Sequence, residues 1–238
     1  MPRKKKPAND TFYFSVDGET EKWYLEHLCK LVNAELQRQE AKFRIRMVIE
    51  VAPNPLRTPW RFISQGAEIR VAHLCDYETP EKCQSGKPLL ECFQDTLDNM
   101  SAAAENYNLT YVLGYSNISF DLWMILHKRD CNGSKAKNDQ YLANLNAAYA
   151  TPFLSMKAYK DGGAFENLLK GIPLLDVRDA VGRATAIQQA NAQNYKPQFY
   201  RNYKFFTNNP ALSIHERIQE LFDFCKGKGN DLFKAVSV

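Results

Sequence analysis

The sequence predicts an α/β fold in which a mainly parallel sheet is flanked by helices, with a helical part at the C-terminus. Within residues 11–128, short segments dense in aromatic and β-branched residues alternate with segments whose apolar residues recur every three or four positions. Strands that alternate with helices form parallel sheets, because each helix returns the chain to the same end of the sheet. Short strands dense in apolar residues are typical of buried parallel strands.

The individual elements follow from this alternation. Strands are expected at 11–16, 43–51, 69–75 and 109–115. Helices are expected at 20–39, 59–65, 89–105 and 119–128, and in the C-terminal part at 141–149, 165–169, 178–192 and 211–224. The apolar residues of the first helix recur at three- and four-residue spacing, the pattern of an amphipathic helix: Leu25, Leu28, Val32 and Leu36.

Charge and composition divide the chain into three parts. We expect a basic disordered tail at 1–10, an α/β domain at 11–135 and a mainly helical part at 136–238 that packs on it. The formal charge of +4 resides in residues 3–6, Arg-Lys-Lys-Lys, so the remainder is neutral. Such a tail can contact phosphates, although a solubilising terminus explains it equally well.

Composition also predicts a cytoplasmic protein. No stretch of about 18 apolar residues is present to cross a membrane, and no apolar signal-peptide core follows the N-terminal charges. The cysteines contain no C-x-x-C pair and are expected to be reduced thiols. They are Cys29, Cys75, Cys83, Cys92, Cys131 and Cys225.

Acidic side chains follow three of the predicted strands. Asp-Gly-Glu-Thr-Glu at 17–21 follows the first strand, Asp-Tyr-Glu at 76–78 follows the third, and the segment at 116–127 follows the fourth. Ligands of an open parallel sheet bind beyond the carboxyl ends of its strands. We therefore expect these acids to meet at one edge and to enclose a cation.

Asp17, Asp76 and Glu78 are the expected metal ligands. Asp76 and Glu78 are two residues apart, so on an extended chain their side chains point to the same side. Carboxylate oxygens select Mg²⁺ or Mn²⁺, and such an ion favours phosphate chemistry. The alternative at each position is structural, since acids also cap helices and occupy polar turns.

Three further residues are expected to act beside the metal: Glu21, Asp121 and His127. Glu21 could bind the ion or orient water, Asp121 could support the site, and His127 could donate a proton or contact phosphate. Each has a structural alternative as well. An acid at a helix start offsets the helix dipole, and a histidine beside Trp123 is more often a satisfied core residue.

These motifs resemble those of a TOPRIM domain, the fold of topoisomerases, primases and OLD-type nucleases. More closely, the chain resembles the RloB-like family, relatives of abortive-infection proteins of the AbiLii type. Residues 17–25 (DGETEKWYL), 76–78 (DYE), 116–127 (SNISFDLWMILH) and 209–221 (NPALSIHERIQEL) carry the resemblance. It spans about residues 11–225 and implies a metal-dependent nuclease encoded in bacterial restriction and phage-defence loci.

Three acids depart from the patterns that the resemblance supplies. Asp17 and Asp121 stand where the family usually has Glu, and Glu78 stands where the TOPRIM fold often has Asp. Each change keeps the charge and alters the reach by one methylene. Two hypotheses therefore stay open: a Mg²⁺-dependent nuclease, and a catalytically silent module that binds a nucleotide, a nucleic acid or a partner protein.

The segment at 195–206 (YKPQFYRNYKFF) combines six aromatic residues with three basic ones and no acid. Stacking platforms and cations of this kind can bind single-stranded nucleic acid, so Lys196, Arg201 and Lys204 are expected to bind substrate, together with Asn117 of the third acidic motif. The alternative is an aromatic packing segment. A partner protein of a defence system is a further expectation, and the oligomeric state is left open.

Overall fold

The structure is a computed structural model that describes residues 8–57, 69–77, 83 and 86–234. Seven strands are found in this part of the chain: β1 (Ala8–Val16), β2 (Phe43–Val51), β3 (Ile69–Asp76), β4 (Leu109–Asn117), β5 (Gln198–Tyr200), β6 (Tyr203–Phe205) and β7 (Ala211–Leu212). The helices are α1 (Glu19–Arg38), α2 (Leu89–Tyr107), α3 (Asp121–Leu126), α4 (Leu142–Tyr149), α5 (Met156–Tyr159), α6 (Gly162–Lys170), α7 (Leu174–Asn194) and α8 (Ile214–Gly227).

The central sheet is mixed, with the strand order β2-β1-β3-β4-β7. The first four strands are parallel, with register pairs such as Val16–Leu74 and Asp76–Ser116. Strand β7 adds two residues antiparallel to the end of β4, and β5 and β6 form a separate antiparallel hairpin. The α/β class and the flanking helices are thus confirmed, and the sheet is parallel except at β7.

Two predicted boundaries need correction. Residues 8–10 belong to β1 rather than to a disordered tail, because they pair with residues 43–45 of β2. Residues 211–212 form a strand rather than the first turn of a helix, since they pair with Ser116 and Asn117. The short helix expected at 59–65 lies outside the described residues, as do residues 1–7 of the basic tail.

The core lies on both faces of the sheet because strand side chains alternate between them. On one face, α1, α3, α7 and α8 bury Trp123 and Leu28 with Phe14 and Leu74 of the strands. On the other face, α2 and the β5–β6 hairpin cover the remaining strand residues. The core on the first face includes side chains from residues before and after 135. The domain boundary at residue 135 stays a prediction.

The first strand and the last helix are joined at their outer surface. The Nζ of Lys228, just past the end of α8, lies 2.8 Å from each carboxylate oxygen of Asp10 in β1. The Phe12 and Phe224 rings meet edge to face with their centroids 5.3 Å apart. Helix α8 therefore covers the beginning of β1.

Two further expectations concern cysteines and membranes. The structure pairs Cys83 with Cys92 as a disulfide, with the Cα atoms 6.2 Å apart, whereas all six cysteines were expected to be free. The pairing arises because the loop before α2 turns back on the first turn of that helix, which residue spacing does not reveal. Across the described ranges, no helix combines the length and apolarity that a membrane span requires.

Candidate functional site

At the carboxyl edge of the sheet, two acidic side chains connect the segments that follow β1, β3 and β4. The backbone N–H of Asp76 donates to Oδ2 of Asp17 across 3.1 Å. The Oδ1 of Asp76 in turn accepts from the backbone N–H of Phe120, 2.7 Å away, at the start of α3. The structure therefore brings together the acidic motif after the first strand and the one after the third, as the sequence predicted.

A buried histidine stands behind Asp17. The Nδ1 of His73 lies 2.7 Å from Oγ of Ser15, and both side chains are fully buried. Burial lowers the pKa of His73 to about 4, so the ring is neutral near pH 7. Its Nε2 faces the Oδ1 of Asp17 at 3.6 Å. At that distance Nε2 makes no hydrogen bond, and Ser15 is the hydrogen-bond partner of the ring.

Glu21 lies beside this edge in the first turn of α1. Glu21 is buried, and its Oε2 accepts a hydrogen bond from Oγ1 of Thr20 across 3.0 Å. Burial raises the pKa of Glu21, and its own backbone N–H and the charge of Lys160 oppose that rise. A Cβ on Gly18 would lie 3.1 Å from the Glu21 carboxylate. The lack of a side chain at Gly18 thus leaves room for the Glu21 carboxylate, and the extended backbone of Gly18 makes no tight turn.

Lys160 places a positive charge among these acids, although no sequence motif marks it. It follows the short helix α5, and its Nζ lies 3.1 Å from Oδ2 of Asp121. Asp121 is 2% exposed and Lys160 is 32% exposed. Burial alone would lower the pKa of Lys160, but the charges of Asp121, Asp76 and Glu21 outweigh it and raise the pKa. One ammonium is thereby shared electrostatically by acids of all three motifs.

His127 is a buried structural residue. Its Nε2 lies 3.1 Å from the hydroxyl of Tyr24, and its Nδ1 lies 2.9 Å from the carbonyl oxygen of Trp123. Burial lowers the pKa of His127 to about 3. With both nitrogens engaged inside the core, the ring cannot reach a phosphate or exchange a proton with a substrate. The structural alternative therefore accounts for this histidine.

Asn117 is the last residue of β4, and it is buried. Its Nδ2 donates to the carbonyl oxygen of Thr207 across 3.0 Å. The hydrogen bond holds the segment before β7 against the sheet edge. Asn117 thus positions the edge, and the geometry gives it no open face for a substrate.

The aromatic segment at 195–206 packs mainly against α2 as the β5–β6 hairpin. Tyr203, Phe205 and Phe206 are buried, and Phe205 contacts Phe93 with the ring centroids 5.0 Å apart. Phe199 is the exception, since it is 72% exposed. Most of these rings are therefore packing residues, the alternative that the sequence left open.

The three basic residues of this segment are exposed and do not join the carboxylate edge. The Nε of Arg201 bonds Oδ1 of Asp98 on α2 across 2.7 Å. Lys204 lines a cavity together with Arg70 and Tyr111, which lie near the starts of β3 and β4. Any contact of Lys196, Arg201 and Lys204 with a substrate at the carboxylates stays a prediction.

The family of the chain follows from a comparison with known proteins. The family model described as RloB-like protein matches residues 12–221, which is most of the chain. The chain belongs to the RloB-like family. The matched region contains Asp17, Asp76, Lys160 and Asp121, so the whole carboxylate edge lies within the family's domain. No curated protein and no solved structure matches the chain significantly.

The acids at this edge form no preassembled metal cage among the residues that the structure describes. No group of three or more Asp, Glu, His or Cys side chains is arranged there to hold an ion, and Glu78 lies outside the described residues. Mg²⁺ does not need such a cage, because it is commonly held by one or two carboxylates, waters and substrate phosphates. The adjoining carboxylates of Asp17 and Asp76 fit that mode of binding.

Proposed function

We propose that the chain is a Mg²⁺- or Mn²⁺-dependent nuclease of TOPRIM type that cuts RNA or DNA in bacterial defence against phage, as abortive-infection proteins do. The observation that carries the proposal is the convergence of the three acidic motifs at one sheet edge. Asp76 bonds Asp17 through its N–H and the start of α3 through its carboxylate. Acids gathered in this way favour a divalent cation, and membership of the RloB-like family supports the defence context.

The proposed roles follow from position. Asp17 and Asp76 would hold the ion, with Glu78 as a further ligand, and the bound ion would polarise the phosphate and acidify a water. Lys160 is partly exposed and can offer its ammonium to a phosphate oxygen. Asp121, almost fully buried, would act by positioning Lys160.

Glu21 is the proposed proton-transfer group. Its raised pKa makes the carboxyl group hold a proton more readily than an exposed glutamate would, which suits a residue that exchanges protons with a substrate. The ammonium of Lys160 lowers the pKa of Glu21, because it favours the charged form of the carboxylate. Substitution of Lys160 should therefore change the pH dependence of cleavage.

The test is a cleavage assay with the full chain and end-labelled single-stranded RNA, single-stranded DNA, duplex DNA and transfer RNA. We expect cleavage with Mg²⁺ or Mn²⁺ and none with EDTA. Asp17→Asn and Asp76→Asn should each abolish it, and Asp139→Asn, which changes an exposed acid outside the edge, should not. Cleavage that survives both site substitutions in folded protein would refute the assignment.

A catalytically silent binding module is the second candidate. The observation that favours it is the position of Lys160, whose ammonium already supplies the carboxylates with a positive charge. Titration calorimetry with Mg²⁺, nucleotides and oligonucleotides would separate the two functions. Tight binding of one of these ligands without turnover of any nucleic acid would favour the silent module.

A further inference from the structure

A polar cavity lies beside β4 and is lined by none of the acids of the carboxylate edge. Its volume is about 420 Å³, and it is enclosed by β4, the β5–β6 hairpin, α7 and α8. We call it the basic cavity and define it by the polar residues Arg70, Gln188, Asn202, Lys204, Glu216 and Arg217. Its lining reaches from Arg70, near the start of β3, to Leu113 in the middle of β4, and includes no residue of the carboxylate edge.

The charges of the basic cavity are predominantly positive. The guanidinium of Arg70 makes two bonds to Glu220, of 2.8 and 2.9 Å. Arg217 contacts Glu216 at 3.0 Å and Glu220 at 2.9 Å. Among the described residues, no acid forms an ion pair with Lys204, which is exposed. Three cationic side chains are therefore balanced by only two carboxylates, those of Glu216 and Glu220. The excess positive charge lies on the side of the cavity formed by Lys204.

Two buried polar atoms of the cavity wall have unmet hydrogen bonds. The Nε of Arg217 has no acceptor, and the side chain is only 11% exposed. The Oε1 of Gln188 has no donor. An unmet buried polar group costs free energy, so a ligand that supplies both partners gains affinity. Such a ligand must bring an anionic acceptor to Arg217 and Lys204, and a hydrogen-bond donor to Gln188.

We propose that the basic cavity binds a mononucleotide. The phosphate would lie against Lys204 and Nε of Arg217, and a ribose hydroxyl or a base amino group would donate to Gln188. The volume lies within the range of small-molecule sites, roughly 300–1,000 Å³. The proposal does not depend on the nuclease function, because none of the acids of the carboxylate edge lines this cavity.

The test is titration calorimetry of the full chain with AMP, GMP, CMP, UMP and inorganic phosphate, all in EDTA. Chelation removes any binding that requires a metal at Asp17 and Asp76, and so isolates the basic cavity. We expect saturable binding of at least one nucleotide. Lys204→Glu should weaken it about tenfold or more, and Lys42→Glu, which reverses an exposed charge outside the cavity, should leave it unchanged.

A second variant tests the orientation of the ligand and does not disturb the ion pairs. Gln188→Met removes the amide and keeps the length of the side chain. It should weaken nucleotide binding while leaving the affinity for inorganic phosphate unchanged. The proposal is wrong if no nucleotide binds saturably at millimolar concentration in EDTA, or if Lys204→Glu and Lys42→Glu behave alike. It is also wrong if nucleotides bind no more tightly than phosphate, or if only oligonucleotides bind.

Discussion

The imidazole Nε2 of His73 points at the Oδ1 of Asp17 from 3.6 Å, inside the sheet and just behind the candidate site. The other ring nitrogen is fixed by the hydroxyl of Ser15. Side chains that hold a carboxylate from behind determine where its oxygens lie. Ser15 and His73 thus form a buried support for an acid that faces the edge.

Ser15→Ala should reveal the strength of this support. The substitution removes the hydroxyl partner of Nδ1 in a fully buried ring, which should lower the free energy of unfolding by about 1–3 kcal/mol. Urea denaturation measures the change, with Ser134→Ala, an exposed serine, as the matched control. A difference between the two variants of less than about 0.5 kcal/mol would contradict the proposed support.

Lys160→Met should destabilise the chain because it leaves Asp121 buried and without its ammonium partner. Removal of one member of a buried ion pair costs about 3–5 kcal/mol, and the partial exposure of Lys160 reduces the expected loss to about 2–3 kcal/mol. The double variant Lys160→Met/Asp121→Asn should recover part of it in a double-mutant cycle. Additive losses in thermal or urea unfolding would show that the two side chains are not coupled.

Acid should destabilise the chain well before ordinary carboxylates titrate. Burial lowers the pKa of His73 and His215 to about 4 and that of His127 to about 3. The ordinary pKa of histidine is 6.5. At pH values between the lowered pKa values and 6.5, the unfolded chain binds more protons than the native one. Stability is therefore full above pH 6.5 and is lost as the pH falls. The raised pKa of Glu21 has the opposite effect on the pH dependence of stability. The effect of the three histidines is expected to exceed that of the one acid.

Urea denaturation at several pH values between 7.5 and 5 measures this dependence. Each histidine should contribute up to about 1.4 kcal/mol per pH unit. His127→Gln should make the slope shallower by about one histidine while lowering stability at pH 7.5. A slope that is flat in the unmodified chain would show that these rings are accessible to protons in the native state.

Mg²⁺ or Mn²⁺ should raise the melting temperature if the acids at the sheet edge bind it. A ligand at one hundred times its dissociation constant stabilises the native state by about 2.7 kcal/mol. Differential scanning fluorimetry with the metal, with EDTA and with NaCl at matched ionic strength measures the shift. Asp17→Asn and Asp76→Asn should remove it and Asp139→Asn should retain it; equal shifts in all three would indicate binding elsewhere.

Local pattern was sufficient to predict the parallel strands of the fold. The bounds of β2 match the prediction residue for residue at 43–51, and β3 and β4 begin where apolar runs begin. Strand β7 has only two residues and no periodicity of its own. It exists because its backbone pairs with the end of β4, which a one-dimensional pattern does not contain.

The candidate site was predictable to the extent that it follows strand ends. Asp17 and Asp76 meet because their strands are neighbours in a parallel sheet, a relation that the sequence implies. Lys160 and His73 were missed because no motif marks them. Lys160 reaches Asp121 from a loop 39 residues further along the chain, and His73 looks like any polar residue within a strand. Their importance arises only from tertiary contacts.

The contact between Asp10 and Lys228 has a consequence for synthesis of the chain. Strand β1 leaves the ribosome early, but α8, which covers Phe12, and β7, which completes the sheet, are translated last. Domains acquire stable packing only when the segments that bury their apolar surfaces are available. A nascent chain that has just completed β4 therefore still exposes apolar side chains of β1 and cannot finish its sheet edge. A ligand site at that edge would accordingly be complete only after β7 and α8 have been translated.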